Sequence, residues 1–314
     1  MEADRGHWLH RDEAIMGTAI TVELWCEDRA HGEAAIDAVM AEMHRIDRAM
    51  SPFKPDSELS RINREAAQHG VALSDEMFTL LSRALQFSRL SRGAFDITYA
   101  SVGHLYDYRA GIAPSDAQVA RAREAVGWQH LLLDPATRAV RFAKDGMRID
   151  LGGFAKGHAV DNAAAILQLL GIQHAIVSAG GDSRVIGDRR GRPWTIGVRD
   201  PRRVGGVVAL LPLQDVAVST SGDYERFFER DGVRHHHLID PRTGRSPAGV
   251  HSVTVIGPDG LTTEALSKTV FVLGAEQGLE LISQVPEVDA VVVDAQGQLH
   301  YSKGLLAPTT AALQ

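Results

Sequence analysis

Strand-like and helix-like hydrophobic periods are interleaved irregularly along this chain, and that order limits what it can fold into. Residues 14–26 read as a strand carrying β-branched Thr18, Ile20, Thr21 and Val22. Ile36, Val39, Met40, Met43, Ile46 and Met50 then recur at helical spacing and predict a helix over 32–50. A second helix is expected over 75–91, with Ser74 as N-cap, Asp75 and Glu76 at the positive end of the dipole, and Gly93 as terminator. Its apolar face reads Phe78, Leu81, Leu85 and Ser88. A short helix at 115–126 follows, then a hairpin within 129–149 turning at Asp134-Pro135. Next come a helix over 153–170 closed by Gly171, and strands at 174–179, 194–199, 206–212, 216–219 and 252–256. Helices at 263–273 and 276–284 and a hairpin at 288–302 complete the pattern. Mixed order with several hairpins predicts an α+β protein with mixed, largely antiparallel sheets, not a doubly wound parallel one.

A chain of 314 residues buries enough surface to need no covalent staples, and its lone Cys26 forbids an internal disulfide framework. Cys26 is expected to be a small core hydrophobe. Thirty-three basic against 40 acidic side chains give a net charge of −7, which argues against a general nucleic-acid binder. Apolar runs such as 204–213 are far too short to span a bilayer. The N-terminus shows no basic segment followed by an apolar one, so a cytoplasmic location is expected; an omitted leader would make it periplasmic. No linker-like stretch interrupts the pattern. A single domain over 14–306 is expected, with 1–13 and 307–314 as terminal extensions.

Three stretches are candidates for chemistry. Asp150-Leu151-Gly152-Gly153-Phe154-Ala155-Lys156-Gly157 lies at a helix entry, where backbone N–H groups bind phosphate; equally, it is a tight turn with an exposed lysine. Ser219-Thr220-Ser221-Gly222-Asp223-Tyr224 offers hydroxyls to a polar ligand, or else caps a helix with Asp223 in its first turn. His235-His236-His237 precedes a turn, Asp240-Pro241-Arg242-Thr243-Gly244. In a strand, His235 and His237 share a face, but no third metal ligand stands at familiar spacing. His237, with Asp240 three residues on, can instead serve as a general base, or be an ordinary surface residue. The basic loop Arg189-Arg190-Gly191-Arg192 reads as a solvated turn before Trp194.

Taken in order, the motifs resemble those of the ApbE family of FAD:protein FMN transferases, over residues 16 to about 301. They are Met16-Gly17-Thr18; Met50-Ser51 with Ser57-Glu58-Leu59-Ser60-Arg61-Ile62-Asn63; Gly93-Ala94-Phe95-Asp96-Ile97-Thr98; and Ile149 through Gly157 with Asp161. Gly180-Gly181-Asp182, Thr220-Ser221-Gly222-Asp223-Tyr224 and His237-Leu238-Ile239-Asp240-Pro241-Arg242-Thr243-Gly244 follow. The resemblance implies a T-shaped α+β fold with FAD between its lobes, and Mg²⁺. It implies transfer of FMN from FAD to a Ser or Thr hydroxyl of an acceptor protein, with release of AMP. The alternatives it leaves are an FAD-binding relative with weakened transfer and an FAD pyrophosphatase giving FMN and AMP. By position, Met16, Ser57, Glu58, Asn63, Asp96, Lys156, Ser221 and Asp223 would surround FAD, and His237 would lie beside the reacting phosphates. No flavin-acceptor motif occurs in this chain, so the acceptor is another protein.

One motif departs from the family. There Mg²⁺ is held by a backbone carbonyl, an Asp and a Thr, which fall here on Ala155, Glu264 and Lys268. Protonated lysine has donors and no acceptor, so it cannot ligate the ion. Glu264 and Lys268 are spaced i, i+4 and face each other on a helix. Two placements are open. The ammonium can occupy the cation's place, or Lys268 can point aside while Thr269 or water completes a metal shell.

Overall fold

The computed structural model describes residues 6–203 and 206–306. Val204 and the expected extension at 307–314 lie outside the described residues. In chain order the elements are β1 (His7–Ile15), β2 (Thr18–Cys26), α1 (Arg29–Met50), α2 (Glu58–Glu65), β3 (Val71–Ala72), α3 (Asp75–Leu90), α4 (Ala100–Gly103) and α5 (Asp116–Arg123). They continue as β4 (Leu131–Asp134), β5 (Ala139–Phe142), α6 (Ala155–Leu169), β6 (Ala175–Ala179), β7 (Asp182–Ile186), β8 (Trp194–Arg199), β9 (Val207–Leu213) and β10 (Ala217–Gly222). The last are β11 (Phe227–Arg230), β12 (Val233–His236), β13 (Val250–Gly257), α7 (Gly260–Leu273), α8 (Ala275–Ile282), β14 (Asp289–Asp294), β15 (Leu299–Tyr301) and α9 (Lys303–Leu306).

The central sheet has eight strands in the order β1-β2-β6-β7-β10-β13-β14-β15. Every neighbouring pair in it is antiparallel, as the interleaved periods require. Helices α1, α6, α7 and α8 pack on it. All six periodic residues of α1 are buried. On β2 the alternate residues Ile20, Val22, Leu24 and Cys26 meet that helix layer. Burying one such aliphatic side chain stabilises the fold by about 1.5–3 kcal/mol. A three-stranded sheet β3-β5-β4 and two hairpins, β8-β9 and β11-β12, lie outside the central sheet.

Helix ends follow the sequence. Ser74 accepts from the Met77 N–H at 3.2 Å, and Ser115 forms a capping box with Gln118. Gly171 takes φ +76° after α6; its N–H reaches Gln168 and that of Ile172 reaches Leu167, a Schellman stop. The apolar face of α3 is Met77, Leu80, Leu81, Ala84, Leu85, Phe87 and Ser88, with Phe78 only half-buried. It is thus rotated by about one position from the expected face.

Four larger differences concern the limits of elements and the loops between them. Residues 14–26 are not one strand. Met16 (φ 56°) and Gly17 (φ 70°) make a two-residue turn with both dihedrals left-handed, which folds β1 back on β2. Residues 7–13, expected to be an extension, form most of edge strand β1. Leu9 in that strand is buried, and Trp8 meets Trp194 edge-on at 5.5 Å. The basic loop is not free in solvent: Arg189 lies 4.7 Å and 5.2 Å from the Trp8 and Trp194 ring centres and pairs with Glu23 at 2.7 Å. Finally, β10 runs on through Ser221 to Gly222, so the segment 219–224 does not cap a helix.

Because β1 belongs to the core, Leu9→Ala should destabilise the protein by about 2–4 kcal/mol, the usual cost of truncating a buried leucine. Urea denaturation measures this. A loss below ~0.5 kcal/mol would return β1 to the status of an appendage.

Candidate functional site

Helices α6 and α7 meet backbone to backbone. A Cβ on Gly157 would stand 2.1 Å from the Gly260 carbonyl oxygen, and one on Gly260 would stand 2.6 Å from that of Gly157. Each helix then caps the other. Phe154, at the N-terminus of α6, supplies no side-chain cap; Glu264 of α7 accepts the Gly157 N–H on Oε2 at 2.7 Å. In return Asp161 of α6 accepts the Gly260 and Leu261 N–H groups at 2.7 and 3.0 Å. Each carboxylate sits where the helix dipole favours negative charge.

Around Glu264 this contact gathers a compact ion cluster. Lys156 donates to Glu264 Oε1 at 2.8 Å and to Asp182 Oδ2. Lys268, one turn on from Glu264, donates to the same Oε1 at 3.2 Å. Asp182 also accepts from Ser219, which contacts Ser267 at 3.0 Å; Ser267 in turn contacts Ser221 at 2.8 Å. Ser219 and Ser221 share a face because they lie two apart on β10. Burial opposes the Lys156 charge, yet Asp182 and Glu264 prevail and raise its pKa. Burial likewise opposes the Asp182 charge, but Lys156 and then Lys268 outweigh it and lower its pKa. Lys156 is therefore an ion-paired group at a helix entry, neither exposed nor free.

A cleft opens beside the cluster, lined by Asp96, Asp150, Gly153, His237, Ile239 and Lys268 among others. His237 follows β12 and is held by its N–H on the Arg226 carbonyl at 3.0 Å. Arg226 also donates to the Gly17 carbonyl at 2.9 Å, so the Met16–Gly17 turn and His237 are tied through one residue. The His237 Nδ1 is buried without a hydrogen-bond partner. Burial first, then Lys268 and Arg226, push its pKa down to about 3. The imidazole is consequently neutral at pH 7. An anion entering the cleft would offset the two cations and raise its basicity toward the working range.

The other residues singled out in the sequence hold the frame. Met16 makes the β1-β2 turn and is half-buried against the core. Ser57 caps α2 through the Ser60 N–H and donates to the Ser51 carbonyl at 2.7 Å. Glu58 accepts the N–H and hydroxyl of Ser74, both at 2.7 Å, fastening α2 to the start of α3. Asn63 exchanges two hydrogen bonds with the Ile149 backbone, at 2.9 and 2.7 Å, just before the glycine-rich turn. Buried Asp96 does line the cleft, with its oxygens accepting from Thr98 and the Trp128 N–H. Asp223 binds His251 Nδ1 at 2.8 Å and leaves Oδ1 buried and unpartnered.

Asp240 does not support His237 as the sequence suggested. Its two oxygens hold the Arg242 guanidinium at 2.9 Å each, and Oδ1 accepts the Arg242 N–H. It organises the turn. The three histidines also diverge. His235 stacks on Phe228 at 5.0 Å, while His236 is buried, with Nε2 on the Pro247 carbonyl at 2.9 Å. Sequence reasoning quoted Asp161 and Asp182 within motifs without giving them roles, offered Ser219 only as one of several ligand hydroxyls, and gave Ser267 no role. Period-two spacing could have joined Ser219 to Ser221; the partnership with Ser267 crosses the fold and leaves no local signal.

The donor set does not suit a divalent cation. Both oxygens of Glu264 already accept N–H donors, and Lys268 adds a cation with no lone pair. An ammonium and a dication about 4 Å apart repel by roughly 8 kcal/mol at an effective dielectric near 20. Ala155 is buried in the first turn of α6. Among the described residues, no three His, Cys, Asp or Glu side chains are grouped to hold a metal.

The ApbE family profile matches residues 16–292. A protein named FAD:protein FMN transferase from Treponema pallidum is 33% identical, over 94% of this chain and 87% of its own length. One of the same name from Vibrio cholerae is 32% identical, over 96% and 92%. Among solved structures, the ApbE protein of Thermotoga maritima superimposes with TM-score 0.89 at 33% identity, covering 96% of this chain and 98% of its own. The flavin transferase ApbE of Vibrio cholerae gives 0.85 at 29%, covering 96% and 99%.

A depressed His237 pKa fixes the sign of one pH effect. Below about pH 6.5 the unfolded chain takes up a proton that folded His237 refuses until about pH 3. Stability should therefore fall as pH drops through that window. Between pH 6.5 and 4.5, His237→Gln should gain about 2 kcal/mol relative to the parent, measured by urea denaturation. A pH-independent difference would mean that the imidazole titrates normally.

Proposed function

This chain belongs to the ApbE family, and we propose that it is an FAD:protein FMN transferase. It takes FAD as substrate, moves the FMN half to a Ser or Thr hydroxyl of an acceptor protein, and releases AMP. The observation that carries this reading is the pairing, in one cleft, of a neutral buried imidazole with an ammonium: His237 and Lys268.

The reaction requires these two groups. The acceptor oxygen attacks the phosphorus on the FMN side of the pyrophosphate. A new P–O bond forms, the anhydride P–O bond breaks, and AMP leaves with the electron pair. The hydroxyl proton passes to the imidazole of His237. Little covalent work falls to the protein in such a transfer, so positioning and charge stabilisation dominate. Lys268 and the glycine-rich turn before α6 supply that stabilisation from one side. Asp96 and Asp150 close another side; Asp96, held by Thr98 and the Trp128 N–H, shapes the cleft.

FAD is anionic and so is the chain overall, at −7. Binding therefore depends on local donors and cations, not on the overall field. The acceptor is a flavoprotein whose Ser or Thr lies in a motif of the Asp-Gly-x-Thr/Ser-Gly-Ala-Thr kind. The residues at Ala155, Glu264 and Lys268 do not suit Mg²⁺, which the family resemblance implies.

Incubation of the protein with FAD and a flavin-acceptor domain, read by mass spectrometry, tests the assignment. The expected result is an FMN-sized gain on the acceptor with AMP in solution. FMN and AMP without a labelled acceptor would make the protein a pyrophosphatase, and intact bound FAD would make it a carrier. His237→Ala should slow transfer by roughly 10²–10⁴-fold while retaining FAD binding, as expected on loss of a general base.

A further inference from the structure

We propose that the Lys268 ammonium is the resident cation of the pyrophosphate site, so that this chain binds and turns over FAD without a divalent metal. The proposal rests on the FAD reading above.

Four observations support it. The Lys268 side chain is only 15% exposed, on the wall of the cleft that holds His237. Its stem lies over the glycine-rich turn, since a Cβ on Gly153 would stand 3.9 Å from Lys268 Cγ. Its bond to Glu264, at 3.2 Å, is longer than that of Lys156 to the same oxygen, at 2.8 Å. Of its three N–H donors this uses one, leaving two to donate to phosphate oxygens. The cluster's formal charges also balance: Lys156 and Lys268 against Asp182 and Glu264. An incoming pyrophosphate meets a cation already fixed by a carboxylate on its own helix.

The alternative placement, with Lys268 turned aside and a metal shell completed by Thr269 or water, has no support in the geometry. Thr269 is fully buried and donates to the Ala265 carbonyl at 2.8 Å within α7.

Equilibrium FAD binding by the unaltered protein, followed by flavin fluorescence in EDTA and in millimolar Mg²⁺, is the decisive measurement. Affinities within about threefold of one another are expected, with transfer to the acceptor proceeding in EDTA. Lys268→Thr should lose tenfold or more in FAD affinity in EDTA and regain it with Mg²⁺. Lys268→Met should lose it in both conditions, which separates charge from fold. A tenfold or greater dependence on Mg²⁺ in the unaltered protein would overturn the proposal and leave the transferase reading standing. No FAD binding in either condition would overturn both.

Discussion

Two helices exchange capping carboxylates: α6 has no side-chain cap of its own, and α7 adds a cap from α6 to the one Asp259 gives it. Glu264 closes the start of α6, and Asp161 closes the start of α7. The exchange works only because Gly157 and Gly260 let the backbones touch. Everything near the cleft is referred to this contact. Beside it Glu264 takes both Lys156 and Lys268 on one oxygen, and Asp182 of β7 takes Lys156 as well.

The same contact explains why the site proposed for an anionic substrate contains buried carboxylates. Glu264 and Asp182 anchor cations. A lysine held between two carboxylates keeps its proton and its position, and a second lysine sharing one of them is held with less restraint. Burial that costs a charge its hydration is offset when the partners are prearranged. His237 feels the opposite balance. It has cations for neighbours and no acceptor or donor at Nδ1, so it stays neutral.

Local patterns in the sequence revealed local structure. The α1 face, the Ser74 and Ser115 caps and the Gly171 stop follow from spacing and residue type. The i, i+4 pairing of Glu264 and Lys268 was visible for the same reason, and α7 displays it as a bond. What escaped was long-range or conformational. Met16 gave no sign in the alternating pattern that its backbone would turn left-handed and split a strand. Lys156 read as either a phosphate-binding or an exposed lysine, and its ion pairing escaped because the partners lie on β7 and α7. Asp240 looked like a helper of His237 because the two are close in sequence, but Arg242 is nearer in chemistry. The order of motifs carried the family, and with it the fold; no single motif did.

The touching backbones at Gly157 and Gly260 also bear on how such a chain can change over generations. Neither position can accept even a methyl group while the other stands where it is. Parting the helices to admit one would withdraw both capping carboxylates and scatter the ions they organise. A glycine in one motif is thus kept by a glycine far along the chain. A substitution on the cleft-facing side of α7, as at Lys268, asks for no such parting of the helices and acts on the cleft alone.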